Sequence, residues 1–185
     1  MKITVDQLKE IAPSLKMGDR VSLFGYVYTA RDAAHRRMAR LAENGEPLPF
    51  PIAGAVIYYA GPTDAPPGAI IGSCGPTTSG RMDAFTPALL DMGLIATIGK
   101  GQRSPEVIEA VKRNNAVYLC AIGGAGALAA RYVKSCETVA FDDLGCESVK
   151  KLGFENFPLI VAVDSEGRDI FTFGREKYGG IFVQN

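Results

Sequence analysis

Hydrophobic positions recur along this chain with two different periods, and each switch between them marks an element. In "RVSLFGYVYTA", Val21, Leu23, Tyr26 and Tyr28 belong to a β-rich run that follows a turn at Gly18-Asp19 and is interrupted by Gly25. The next segment, "RDAAHRRMARLAEN", changes to helical spacing. Ala34, Met38, Leu41 and Ala42 share one face, while Arg36, Arg37 and Arg40 lie largely on the other. Asp32 suits the first turn of this helix and Gly45 its C-terminal stop. After the proline-broken "GEPLPFPIAG", "AVIYYAGP" at residues 55–62 reads as a buried strand, and "TDAPPG" continues neither kind of element. "AIIGSC" reads as a further apolar strand, and "MDAFTPALLDMG", from Met82 onward, as a helix containing Pro87.

"LIATIG" is another strand and leads into Lys100. Ser104-Pro105 has the form of an N-cap followed by proline at the first helical position, with "EVIEAVKRNN" as the helix. "AVYLCAI" is a strand, "GGAGALAARYV" enters a helix, and "TVAFDD" is a short strand. The run "FPLIVAVDSEGRDIFTFG" has the shape of strand, turn and strand. This alternation predicts an α/β fold whose central sheet is buried on both faces, with an antiparallel portion added by the first and last strand pairs. No repeat, low-complexity tract or linker divides the chain, so residues 1–185 are expected to form one domain.

Composition narrows the function classes. Apolar residues make up 47% of the 185 and charged residues 22%, as in an ordinary soluble globular protein. Twenty basic side chains balance twenty acidic ones, which argues against a general nucleic-acid surface. "MKITVDQLKEIAPSL" carries acids at Asp6 and Glu10 and no long apolar stretch, so a signal peptide is not expected, and no run reaches the length of a membrane span. Cys74, Cys120, Cys136 and Cys146 are widely spaced, with no CxxC pair, which disfavours a self-contained metal site. Reduced thiols in a cytoplasmic protein are expected. With a single His the chain has a thin acid–base repertoire.

The candidate chemistry centres on "GPTTSGRMD", residues 75–83. A loop after a buried strand and before a helix is where α/β proteins bind ligands. Backbone N–H groups around Thr78 to Met82 would face an anion there, and Arg81 would add a bidentate hold on a carboxylate or phosphate. Lys100 leaves the end of a strand between Gly99 and Gly101, on backbone able to approach a ligand closely, although a plain turn would look the same. Arg31 closes another strand run, so three cations from separate strand ends would surround a dicarboxylate if they converge. His35 stands beside Arg36, and cationic neighbours would depress its pKa. "GAGALA", residues 124–129, matches the G-x-G-x-x-A form of a dinucleotide fingerprint, with Asp142 and Asp143 further on; close helix–sheet packing explains the same small residues.

Taken together, "YTARDAAHRRM", "GPTTSGRMD" and "IGKGQR" resemble the signature of the iron–sulfur-dependent class I fumarate hydratases, specifically their β subunit, which corresponds to the C-terminal domain of the single-chain enzymes. The β subunit of L(+)-tartrate dehydratase is similar, and the resemblance runs from about Val21 to "FPLIVAVDSEGRDIF". It implies a swivelling β/β/α domain that closes over an active site shared with an α subunit. That α subunit would carry a [4Fe–4S] cluster through its own cysteines, and this chain alone would bind no cofactor or metal. By resemblance, Arg31, Arg81 and Lys100 bind the C4 dicarboxylate and Thr77 takes part in proton transfer with an aspartate of the other subunit. His35, Thr78 and Asp83 would stand behind them. A cytoplasmic, higher-order hetero-oligomer without nucleic-acid or membrane partners is implied.

The leading reading is therefore one half of a hydro-lyase interconverting fumarate and L-malate, inactive without its partner. Dehydration of L-tartrate needs the same cations and stays open. A non-catalytic anion- or nucleotide-binding domain, supported by "GAGALA", is the alternative from another class.

Overall fold

A computed structural model describes residues 1–179. The chain opens with a short strand β1 (Lys2–Thr4) and helix α1 (Val5–Ile11), whose first turn is capped by Thr4 Oγ1 accepting the Gln7 N–H. There follow β2 (Arg20–Thr29), α2 (Asp32–Glu43), β3 (Val56–Tyr58), α3 (Thr86–Asp91) and β4 (Ala96–Gly99). Next come α4 (Pro105–Arg113), β5 (Val117–Cys120) and α5 (Gly126–Ala130). The described part closes with β6 (Val133–Ala140), β7 (Val149–Val163) and α6 (Ile170–Tyr178).

Strands β2, β3, β4 and β5 run parallel, in register through Tyr28↔Ile57, Ile57↔Thr97 and Thr97↔Tyr118. β7 is antiparallel to both β5 and β2, so the five strands β2-β3-β4-β5-β7 close into a barrel, with helices flanking it. Its 15 residues reach far enough to pair also with β6, antiparallel, outside that ring. β1 joins β2 in parallel. The antiparallel portion therefore centres on β7, which pairs in this way with β2, β5 and β6, while the first strand pair, β1–β2, is parallel and not antiparallel as expected.

The period-2 alternation of the strands sorts their side chains into two cores. Val56, Tyr58, Ile98, Val117, Leu119 and Val161 join one, with Leu23 and Val27 of β2. Ile57, Tyr59, Tyr118 and Ala162 join the other, against Met38 of α2, Leu90 of α3 and Val107 of α4. Strands buried on both faces read as unbroken apolar runs, which is why β3, β4 and β5 stood out in the sequence. α4 begins as expected, with Ser104 Oγ accepting the Val107 N–H and Pro105 in the first turn.

The second core has a polar centre. Arg103 is buried with its side chain fully covered. Its Nε donates to Asp83 Oδ1 at 2.7 Å, Nη1 to Thr97 Oγ1 at 3.0 Å and Nη2 to Thr86 Oγ1 at 2.8 Å and Tyr59 OH at 3.3 Å. The guanidinium also lies over the rings of Tyr59 and Tyr118, at 5.2 and 4.9 Å from their centroids. Burial alone would pull its pKa down, but Tyr59, Asp83 and Tyr118 more than offset this and hold it above the ordinary arginine value. The second oxygen of Asp83 accepts the Ser104 N–H at 2.6 Å.

Four local expectations change. "AIIGSC" is not a strand: the loop folds on itself, Thr63 N–H donating to Ser73 O and Gly72 N–H to Thr63 O. "RDIFTFG" is not the return strand of a hairpin but the start of α6, because Asp169 accepts the Phe171 and Thr172 N–H groups as an N-cap. The helix expected from Met82 is a 3₁₀ turn at Ser79–Met82 followed by α3 from Thr86. In α2, Ala34 and Met38 are buried as expected, but Ala42 is exposed near the helix end. Gly25 bends β2 at a bulge opposite β7 without ending it.

The Arg103 cluster makes the first prediction. Asp83→Ala leaves a buried guanidinium without its carboxylate and is expected to lower unfolding stability by about 3–5 kcal/mol. Asp83→Ala with Arg103→Met removes the stranded charge and should recover part of that loss in urea melts. A double variant no more stable than Asp83→Ala would reject the pairing as the source of the cost.

Candidate active site

Three of the parallel strands end on the same side of the barrel, and two of them hand the chain to a residue singled out in the sequence, Arg31 and Lys100. β2 ends at Thr29 just before Arg31, β3 ends at Tyr58 just before Gly61, and β4 ends at Gly99 just before Lys100. The segment Gly75–Asp83 crosses these ends. Thr77 N–H donates to Tyr59 O at 2.7 Å, Lys100 N–H to Thr77 O at 3.3 Å and Ser79 N–H to Lys100 O at 2.9 Å. Thr78 and Lys100 thus form an isolated parallel bridge. The sheet's own hydrogen bonding places Thr77 and Thr78 beside Lys100.

The two glycines around Lys100 have separate causes. Gly99 is where Ser79 packs: a Cβ there would lie 2.0 Å from Ser79 Oγ, which instead pairs with Tyr118 OH at 2.8 Å. Gly101 has φ +80°, a left-handed conformation that side chains disfavour, and its carbonyl accepts from the same Tyr118 hydroxyl. The Lys100 stem then runs over Gly123.

Arg31 and Arg81 meet on a shared carboxylate. Arg81 Nε donates to Asp32 Oδ1 at 2.9 Å, and Arg31 Nη2 lies 3.8 Å from Asp32 Oδ2 and 3.4 Å from Glu147 Oε1. The other Glu147 oxygen accepts the Ala33 N–H in the first turn of α2. Arg31 also passes close to Gly61, where a Cβ would sit 3.0 Å from Nη1. The two halves of the site join through the stretch after β3: Ala30 N–H donates to Tyr58 O, and Tyr59 O receives Thr77. Cations thus gather at one end of the barrel, an arrangement suited to holding a small polyanion. Beyond Gly61 a cleft of about 390 Å³ opens between the loop after β3 and the β6–β7 region, lined by residues including Asp64, Cys146 and Lys150.

Among the remaining candidates, Thr78 is exposed at the crossing segment. Asp83 turns away from the cations and belongs to the Arg103 cluster. Free backbone N–H groups were expected from Thr78 to Met82, but Ser79 N–H is taken by Lys100 O and Arg81 N–H reaches Thr78 O at 3.4 Å. His35 is 1% exposed. The Arg31 carbonyl receives both its backbone N–H, at 2.9 Å, and its Nδ1–H, at 2.8 Å, which fixes the tautomer. Burial, more than the nearby Arg103 charge, lowers its pKa to about 4, so the ring is neutral at pH 7. The direction agrees with the sequence expectation, but desolvation is the principal cause.

"GAGALA" is explained by packing. α5 is five residues long, Gly126 O accepts the Cys74 N–H, and a Cβ on Gly126 would lie 2.2 Å from Ser73 Oγ. Asp143, placed further on as a ribose partner, pairs with Arg37. Sequence reasoning missed Asp32 as the link between the arginines, and Glu147 and Arg103 altogether. Asp32 alone had a readable signal, standing between Arg31 and the helix it opens.

The family model described as the fumarase C-terminus matches residues 1–174. The chain is 38% identical over 174 residues to "Fumarate hydratase 2" of Leishmania major, covering 93% of this chain and 31% of that protein. It is 41% identical over 169 residues to "Fumarate hydratase class I, aerobic" of Escherichia coli (strain K12), covering 89% and 31%. It is 39% identical over 184 residues to "Putative L(+)-tartrate dehydratase subunit beta" of Methanocaldococcus jannaschii, covering 96% and 94%. The chain thus spans 31% of the length of these two fumarate hydratases.

His35 gives this site a pH signature. Its folded pKa, about 4, lies below the ordinary 6.5, so the unfolded chain takes up the proton first as pH falls. Stability tied to His35 is complete above pH 6.5 and is lost between there and about pH 4, by about 3 kcal/mol in all. His35→Asn keeps a donor for the Arg31 carbonyl but no titrating ring. The stability difference between wild type and this variant should fall across that window. A constant difference would contradict the assignment.

Proposed function

The chain belongs to the fumarase C-terminal family, and from that premise we propose that it is the β part of a hydro-lyase acting on a C4 dicarboxylate, with fumarate and L-malate as the reacting pair. The observation that supports the reading is that Arg31 and Arg81 share the Asp32 carboxylate at the end of the barrel where Lys100 leaves β4, its backbone bridged to Thr78. Two arginines suit bidentate contacts with carboxylates, and the lysine adds a compact charge. Their work is to bind and orient the substrate and to hold the negative charge that grows on a carboxylate as a proton leaves the neighbouring carbon.

Thr77 is assigned to that proton transfer, together with an acid from the partner. An unactivated alcohol is a poor base, so its part depends on the groups around it. The cysteines of this chain do not fit an iron–sulfur cluster: Cys74 is buried, with its thiol pushed up to about 12 chiefly by burial, and Cys146 is exposed. Among the described residues no group of three His, Cys, Asp or Glu side chains is placed to hold a metal ion. In this reading the cluster belongs to an α subunit, the barrel domain swivels to close over it, and the assembly is a cytoplasmic hetero-oligomer. Identity to a protein named as a tartrate dehydratase subunit supports L-tartrate as the second reading.

The test is anaerobic hydration of fumarate by this chain with its cluster-bearing partner, with L-tartrate run beside it. Activity is expected only in the complex. Arg81→Met and Lys100→Met should each lower kcat/KM by about a hundredfold or more in the assembled complex. Preference for tartrate would change the substrate and keep the site. Unchanged turnover in both variants would reduce this chain to a scaffold and reject the reading.

A further inference from the structure

The arginines of the proposed site are not equally held. Arg31 is 20% exposed and has two carboxylates near it, from Asp32 and Glu147. Arg81 is 50% exposed, and its ion pair among the described residues is with Asp32. A half-exposed arginine samples many rotamers, and a single anchor decides how much of that freedom survives.

The atom used for the anchor matters. Asp32 takes Arg81 through Nε, which leaves the outer edge of the guanidinium, Nη1 and Nη2, for a second carboxylate. Asp32 is itself firmly placed: it opens α2, its side chain is 13% exposed, and helix starts favour a carboxylate. On its other side Asp32 Oδ2 and Arg31 Nε are both buried without a hydrogen-bond partner. The two arginines are thus joined through one carboxylate that is fully bonded towards Arg81 and loosely bonded towards Arg31.

We propose that Asp32 is the positioning residue of the dicarboxylate site: it aims Arg81 at the substrate through Nε and sets its distance from Arg31. This rests on the function proposed above. Asp32 does not touch the reacting atoms, so its loss should weaken binding more than chemistry. Arg81 should suffer most, because Glu147 still steadies Arg31.

The test is kinetic, in the complex with the partner subunit, using whichever of fumarate or L-tartrate is turned over. Asp32→Asn is expected to raise KM about tenfold with kcat changed less than about threefold. Asp32→Glu, which keeps the charge one methylene further out, should recover part of the loss. In the Arg81→Met background, Asp32→Asn should add little, since the residue it acts through is already gone. An unchanged KM in Asp32→Asn, or effects that simply multiply in the double variant, would overturn the proposal. A silent Arg81→Met sinks this proposal, and a silent Lys100→Met beside it sinks the dicarboxylate reading as well; if Arg81→Met is damaging while Asp32→Asn is silent, only the role of Asp32 is lost.

Discussion

The buried guanidinium of Arg103 is the constraint on which the site end of this barrel depends. It touches side chains from three neighbouring positions of the sheet, Tyr59 after β3, Thr97 in β4 and Tyr118 in β5, and from Thr86 at the start of α3. Its one carboxylate partner, Asp83, ends the segment that carries Thr77 and Arg81. Arg103 itself lies three residues after Lys100. A charge in this setting contributes little net stability compared with a well-packed apolar group, because its desolvation cost is large. What it imposes is position: a planar fork of donors is satisfied by one arrangement of its acceptors. The two loops that carry Arg81 and Lys100 are thereby referred to a common point in the core.

From that point outward the site is built by backbone. Thr77 to Ser79 are bonded to the strand ends at Tyr59 and Lys100, and the Ser79 side chain enters the space left by Gly99. The two arginines are held at an edge where the strands run out, against Asp32 and Glu147, so their charges are partly balanced before any ligand arrives. Such preorganisation reduces the cost of collecting like charges and orders long side chains in advance.

Legibility in the sequence followed burial and local chemistry. β3, β4 and β5 were readable because both their faces are covered, and α4 because Ser104 and Pro105 announce it. The candidate site drew notice through Lys100 between two glycines, a pattern a plain turn shares, and the structure gives those glycines structural reasons: Ser79 packs at Gly99, and Gly101 has a left-handed backbone. Two kinds of feature were hidden. "AIIGSC" and "RDIFTFG" have strand composition, but one is bonded back onto its own loop at Thr63 and the other is committed to helix by the cap at Asp169. Arg103 was hidden because a lone arginine in "GKGQRSP" has no period, and its acid lies twenty residues away in sequence. Asp83 was misplaced for the same reason: nearness to Arg81 in the chain says nothing about which way each side chain turns.

Under the proposed function, the distribution of acids and bases makes this end of the barrel half of a site. Moving a proton at carbon needs a group free to take it and able to give it back. His35, the single histidine, is neutral but sequestered, its Nδ1–H spent on the Arg31 carbonyl. Asp32 and Asp83 each hold an arginine, and Glu147 holds the start of α2. Each of these three carboxylates is therefore occupied in placing something else. What is left for the substrate is positive charge and the hydroxyls of Thr77 and Thr78. Such a surface suits gripping and orienting a dianion; among the described residues these groups offer no ready proton acceptor, which in the proposed assembly the partner would bring.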